Sequence, residues 1–247
     1  MAQPEPLQPI DEHWDRALAV VAHPDDMEFG AAAAVARWTK QGKTVIYCMV
    51  TSGEAGIDSL PPDQCGPLRE REQIDSARIV GVDQVDFLHL PDGTLEYDVA
   101  LRRAIAGVVR QHRPDIVITN NFRDTWGGQS LNQADHIAVG KATLDAVRDA
   151  GNRWIFPEQL VDGCEPWGAV RAVWAAGSPN AQHAVDITDT FDDGVESLRA
   201  HQAYIDGLGW EHFDPAEFLE GGARQAGTRL GTRFAASFEV FPMGWGQ

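Results

Sequence analysis

A chain of 247 residues, 43% hydrophobic and 23% charged, carries enough apolar material for one well-buried α/β domain over residues 1–247, which excludes disordered and collagen-like classes. A net charge of −17 opposes both a phosphate backbone and an anionic membrane, so neither nucleic acid nor a membrane is expected as a partner. Cys48, Cys65 and Cys164 are widely spaced and odd in number, which argues against a disulfide framework or a thiolate zinc site and for a reducing, cytoplasmic setting.

The leader MAQPEPLQPIDE has no apolar signal core, and no later segment approaches the run of about 18 apolar residues that a membrane span needs. RALAVVA, from Arg16, reads as a strand buried on both faces of a parallel sheet, and it stops abruptly at HPDD. The alanine-rich GAAAAVARWTKQGK from Gly30 predicts a helix and turn, and TVIYCMVTS from Thr44 a second strand. Residues 68–82 predict an amphipathic helix ending near Gly81, with VDFLHL from Val85 as the third strand. Residues 98–112 predict another helix, and DIVITN after Pro114 a fourth strand ending in the polar run NNFRDTWGGQS. A helix follows over residues 136–148, then strands at RAVWAAG and HAVDIT and a single late helix over residues 189–208. In WEHFDPAEFLEGG, residues 210–222, the aromatic residues are read as packing locally, a lid or a subunit contact being the alternatives. The repeated strand, helix, strand spacing predicts an α/β, Rossmann-like, open and mostly parallel sheet with helices on both faces.

In such sheets ligands sit beyond the carboxyl ends of the strands, and His23, Pro24, Asp25 and Asp26 fall there on the first one. His23 and Asp26 supply nitrogen and oxygen ligands suited to zinc, and His136, beyond the fourth strand, completes a set of three with a position left for water. Asp25, pointing away from Asp26, would then act as general base. On spacing alone a second reading stays open: HPDD is an ordinary turn leading into a helix.

AHPDDMEFG (Ala22–Gly30) resembles the signature AHPDDE-x-x-x-G of the LmbE-like (PIG-L) deacetylases, zinc enzymes that remove acetyl groups from N-acetylglucosamine-type conjugates. The likeness continues through RxxE, ARIVGV and LHLPDG between Arg69 and Gly93, VDITDTFDDGVESLRAH up to His201, and RFAASF near the C-terminus, and so covers nearly the whole chain. It implies a Rossmann-like fold, one zinc ion on His23, Asp26 and His136, and Asp25 activating a water. It also implies substrate contacts at Arg69 and Asp92, with Glu54 near the same pocket; as bare residues these read equally as surface charges and a turn. Asp135 is read as a carboxylate orienting a ligand histidine, or as a helix N-cap.

Two departures stand out. The family motif HPDH is here Gln133, Ala134, Asp135, His136, and glutamine can donate a hydrogen bond to an oxyanion but not a proton. The motif AHxSQ is here AHQAY, with Tyr204 in the place of glutamine, so specificity is expected to differ. The proton donor is therefore sought at Asp25 itself, at His201 or at His89. The expected activity is hydrolysis of a small N-acyl substrate of amino-sugar type. The alternatives are an amidase on a thiol conjugate or natural-product precursor, and a non-catalytic metal-containing binding module. Assembly into a homo-oligomer is compatible with all three.

Overall fold

The computed structural model describes residues 5–161, 164–210 and 212–244; residues 1–4 of the leader, residues 162–163, Glu211 of the aromatic segment and residues 245–247 lie outside them. In chain order, β1 (Gln8–Pro9) and β2 (Arg16–Val21) are followed by α1 (Asp26–Gly30), α2 (Ala32–Lys40), β3 (Thr44–Met49), α3 (Pro62–Ile79), β4 (Val85–Phe87), α4 (Val99–His112), β5 (Ile116–Asn120) and α5 (Ala134–Gly151). After a 3-10 turn at Pro157–Gln159 come β6 (Ala172–Ala176), β7 (His183–Asp186), α6 (Phe191–Arg199), α7 (Gln202–Gly207), α8 (Pro215–Leu230) and β8 (Ala235–Pro242).

The eight strands form one sheet in the order β1-β7-β8-β6-β5-β2-β3-β4, with β8 antiparallel to both its neighbours and every other pair parallel. The alternation of β2 explains its central place. Ala17, Ala19 and Val21 face a core with Val35, Trp38, Trp174 and Val195 on one side, while Leu18, Val20 and Ala22 face Ile105, Val109, Val139 and Ala146 on the other. Helices α2 and α6 thus cover the first face, and α4 and α5 the second. From β2 the chain builds outward through β3 and β4, then returns to the opposite side of β2 with β5, so β2 and β5 flank a topological switch point.

The expected fold class is observed, with local differences. Helix α3 begins at Pro62, six residues before the start read from the apolar pattern at Leu68, because Pro62 sits in the first turn, where its missing N–H costs nothing. The single late helix is two, α6 and α7, interrupted at the wholly buried His201. Helix α8 and the antiparallel strand β8 were not anticipated; Gly221, Gly222 and Gly227 weaken the helical signal of the former.

Candidate metal centre and active site

His23 stands just beyond β2, and Asp25 and Asp26 open α1; His136 lies in the first turn of α5, after the loop leaving β5. The switch point brings them together. His136 Nε2 is 2.9 Å from Asp26 Oδ1, His23 Nδ1 is 3.7 Å from Asp26 Oδ2, and one donor atom from each of the three residues lies within 4.8 Å of the others. The outer ring nitrogens are held from behind. His23 Nε2 meets Asp92 Oδ1 at 3.1 Å and Asp135 Oδ2 at 3.3 Å, and His136 Nδ1 meets Asn132 Oδ1 at 3.0 Å. Each imidazole thus has an acceptor on its far nitrogen and turns the near one toward Asp26, the arrangement that orients metal-binding histidines.

His23, Asp92 and Asp135 form a second close group. Their oxygens are already occupied by backbone: Asp135 accepts from Gly93 N (2.7 Å) and Leu95 N (3.0 Å), and Asp92 from Ala55 N (2.8 Å). This group works as the support of the first. Burial disfavours charge on both His23 and Asp26, yet the mutual pairing wins: Asp135, Asp26 and Asp92 hold His23 well above its usual range, and His136 and His23 hold Asp26 well below the carboxylate range.

Asp25 is 4% exposed and takes a left-handed backbone, φ 89° and ψ −18°, unusual outside glycine. Its N–H donates to Gln73 Oε1 at 2.8 Å, and Gln73 Nε2 donates to Glu28 Oε1 at 3.1 Å, where Ser76 Oγ also donates at 2.9 Å. Arg69 Nη2 donates to Asp25 Oδ2 at 3.0 Å and to Pro24 O at 2.6 Å, and Nη1 to Gly53 O at 3.0 Å, while the Tyr204 ring lies 4.0 Å from the guanidinium carbon. A Cβ on Gly56 would fall 2.3 Å from Arg69 Nη1, so the loop after β3 needs glycine to seat that arginine. Burial raises the Asp25 carboxyl to about 6, with Arg69 pulling the other way and the charge of Asp26 adding to the rise. The Tyr204 hydroxyl is raised by its own burial and by the charge of that carboxylate.

A cavity of about 890 Å³ opens over these groups, and His23, Asp25, Asp26, Arg69, Asp92, Gln133 and His136 are all on its wall. Glu54 is not: its carboxylate accepts from Asp92 N at 2.9 Å and Ser52 N at 3.3 Å, so it holds the loop carrying Asp92. Asp135 is buried beneath, and it lies inside α5 rather than at its N-cap, which is Gln133. His201 has no exposed surface and faces Glu28 Oε2 at 3.5 Å; His89 bonds to Ser52 Oγ at 3.0 Å and neighbours Glu70 at 3.3 Å. Neither histidine is on the cavity wall. Asn132, Gln73 and Glu28 escaped sequence reasoning; only the polar character of positions within helix or loop patterns marked them.

A histidine–aspartate cluster fit for a cation, at the switch point of an open α/β sheet with a near-neutral carboxyl beside it, matches the class of metal-dependent hydrolases. The chain belongs to the PIG-L family: the family profile described as GlcNAc-PI de-N-acetylase matches residues 18–147. It is 27% identical over 229 residues to diacetylchitobiose deacetylase of Thermococcus kodakarensis, covering 92% of this chain and 83% of that one. It is 29% identical over 183 residues to 1D-myo-inositol 2-acetamido-2-deoxy-alpha-D-glucopyranoside deacetylase 2 of Saccharopolyspora erythraea, 64% of each chain. Among solved structures, N,N'-diacetylchitobiose deacetylase from Pyrococcus horikoshii superposes with a TM-score of 0.85 at 24% identity, over 94% of this chain and 85% of that one, a likeness of fold. The expected family and fold class are thereby borne out.

Proposed function

We propose that this chain is a zinc-dependent N-deacylase, acting as one domain, that hydrolyses the amide of a small N-acylated, amino-sugar-type substrate to a carboxylate and an amine. The observation that carries the reading is the convergence of His23, Asp26 and His136 beside Asp25 at one end of the sheet. Two imidazoles and one carboxylate suit zinc, and their outer partners turn the ring nitrogens toward a common point. A cluster that raises the basicity of His23 so far is one that calls for a cation, and a metal would replace that proton. One zinc ion per chain is assigned to these three residues.

When bound, zinc supplies Lewis acidity that polarises the amide carbonyl and eases proton loss from water. Asp25 takes the proton of the attacking water, its carboxyl fixed by Arg69 and its backbone by Gln73. Gln133, exposed on the cavity wall, offers an amide N–H to the oxyanion. The proton for the leaving amine comes from Asp25 itself, because His201 and His89 face other partners. The three cysteines are free, and no helix among the described residues is long and apolar enough to cross a membrane, both in keeping with a cytoplasmic enzyme.

Asn tolerates a left-handed backbone, so Asp25→Asn removes the base and keeps the turn. It is expected to retain zinc and to lose about 10²- to 10⁴-fold in kcat for acetate release from N-acetylated sugars. Turnover like that of the wild type would remove Asp25 from the reaction, and turnover that survives full chelation would remove the metal. A thiol-conjugate amidase would use the same centre, and amine release across a panel of acyl groups separates the two.

A further inference from the structure

The cavity over the ligand cluster does not close on its far side. A second cleft of about 570 Å³, between the start of α2, the loop after β6 and helix α8, shares Phe29, Gly30, Trp126, Gly177 and Phe218 with it. These five residues frame a throat. Phe29 and Phe218 pack edge to face with ring centroids 5.4 Å apart, and neither glycine places a side chain between the two spaces. At Gly177 the left-handed φ of +67° accounts for the glycine. At Gly30 nothing in the backbone does: its φ is not left-handed, and a Cβ would rest in ordinary contact, 3.6 Å from Ala176 Cβ and 3.9 Å from Asn120 Oδ1. What glycine provides there is room. Gly30 also follows the ligand Asp26 by four residues in α1, so throat and ligand share a helix face, one turn of about 5.4 Å apart.

Beyond the throat the lining changes character. Ala32, Ile187, Phe191, Leu219, Ala223 and Ala236 supply apolar side chains, and the two charged residues on the cleft are engaged by the scaffold. Glu28 is held by Gln73 and Ser76 and faces His201, while Arg229 donates to Glu5 O at 2.9 Å and to Ala181 O at 3.4 Å. Ser178 Oγ donates to Glu239 at 2.6 Å, and the other polar side chains, Gln225 and Ser237, keep contact with solvent. A sugar ring drawn into this space would lose water from its hydroxyls without gaining fixed partners; an alkyl chain has none to lose.

We propose that the second cleft is an acyl-chain subsite, so that the enzyme takes N-acyl amines whose acyl group is a linear alkyl chain longer than acetyl. The proposal rests on the deacylase reading. The amine half of the substrate occupies the larger cavity, and the chain runs from the scissile carbonyl past Gly30 into the cleft. Acetyl ends short of the throat. Octanoyl carries six more carbon–carbon bonds of about 1.5 Å each, which together outreach the helical turn between Asp26 and Gly30.

The test follows glucosamine release by the zinc-loaded full chain from N-acetyl-glucosamine and from N-octanoyl-glucosamine below its micelle-forming concentration. For the octanoyl amide kcat/KM is expected to be about tenfold or more above that of the acetyl amide, with the gain in KM, as burial of added methylenes predicts. An octanoyl amide cleaved no better than the acetyl amide overturns the acyl subsite and leaves the deacylase reading standing. Glucosamine from neither probe overturns that reading and the proposal with it. Gly222→Leu locates the chain. Gly222 lies in α8 on the wall of the cleft, away from the throat, and a Cβ there meets nothing within 4 Å, so leucine, the stronger helix former, keeps the fold while its side chain fills the space. The octanoyl-to-acetyl ratio of kcat/KM is expected to fall about fivefold or more in this variant. A ratio like that of the wild type would take the cleft off the path of the acyl chain.

Discussion

Two arginines are buried in this fold, and they are buried differently. Arg110, with no exposed surface, donates to the carbonyls of Asp149, Ala150, Asn152, Ile155 and Phe156 and to Gln159 Oε1, all at 2.7–3.1 Å. Those carbonyls belong to the end of α5 and the turn after it, so the guanidinium caps a helix and fixes its exit. Arg69 donates to two carbonyls and to Asp25, and its Nε has no partner. The first arginine is saturated by oxygens that never change charge. The second is held against Asp25, the carboxyl proposed above as the base, and its Nε is left without a partner. A buried guanidinium can thus serve as a structural clamp or as a tuner of a reactive group, and what its fork meets tells which.

Substitution should separate the two roles, and the largest effect is expected on stability. Arg110→Met orphans buried carbonyls at the end of α5, and we expect a loss of about 4 kcal/mol or more in denaturant unfolding, since each unpaired acceptor costs roughly 1–3 kcal/mol. Turnover per folded molecule at low temperature should stay near that of the wild type. A loss below about 1 kcal/mol would show that the clamp is dispensable. Arg69→Met should do the reverse, with a smaller stability change and about a 10²-fold fall in kcat, the range for disturbing a positioned general base. The sign of its pH effect follows from charge. Arg69 pulls the Asp25 carboxyl down, so its removal lets the carboxyl rise above its value of about 6. Because the base works only when deprotonated, the acid limb of the rate profile should move to higher pH, and alkaline buffer should recover part of the loss. An unmoved acid limb would separate Arg69 from the titration of Asp25.

The division between what the sequence reveals and what it hides follows the same physics. His23, Asp25 and Asp26 are legible because one abrupt strand end carries them all, and His136 because a second strand end is followed by a histidine in a polar loop. The strands β2, β3, β5, β6 and β7 show as short apolar runs. Hidden features depend on contacts between distant segments. Gln73 lies 48 residues from the Asp25 N–H it accepts, and nothing in the pattern of α3 distinguishes it from a surface glutamine. Strand β8 owes its place to antiparallel insertion between β6 and β7, and its ASFEVF run carries no signal of that partnership. Arg69 and Asp92 reach the cavity wall as expected of substrate contacts, but the sequence could not show that the Asp92 carboxylate and the terminal nitrogens of Arg69 are already taken up by Asp25, His23 and backbone. Position on a strand end is a local property and can be read; saturation of a side chain is a property of the folded whole.

The finest probe of the contrast lies in the loop that receives Arg69, where two glycines crowd its guanidinium. At Gly53 a Cβ would fall 2.2 Å from Nη1, but its φ of +63° means that any side chain there also strains the backbone, so a substitution would mix two causes. At Gly56 the Cβ would fall 2.3 Å from the same atom and 3.2 Å from Gly53 O, without a left-handed φ, so Gly56→Ala presses first on the guanidinium and on the carbonyl it bonds. Arg69 must then tilt away from Gly53 O or from Asp25, and a misplaced positioning group costs rate even where the fold is intact. We expect kcat to fall about tenfold, with zinc content retained and the acid limb displaced in the same direction as in Arg69→Met but by less. A fall in kcat with no displacement of that limb would mean that the loop acts on the substrate and not through the arginine.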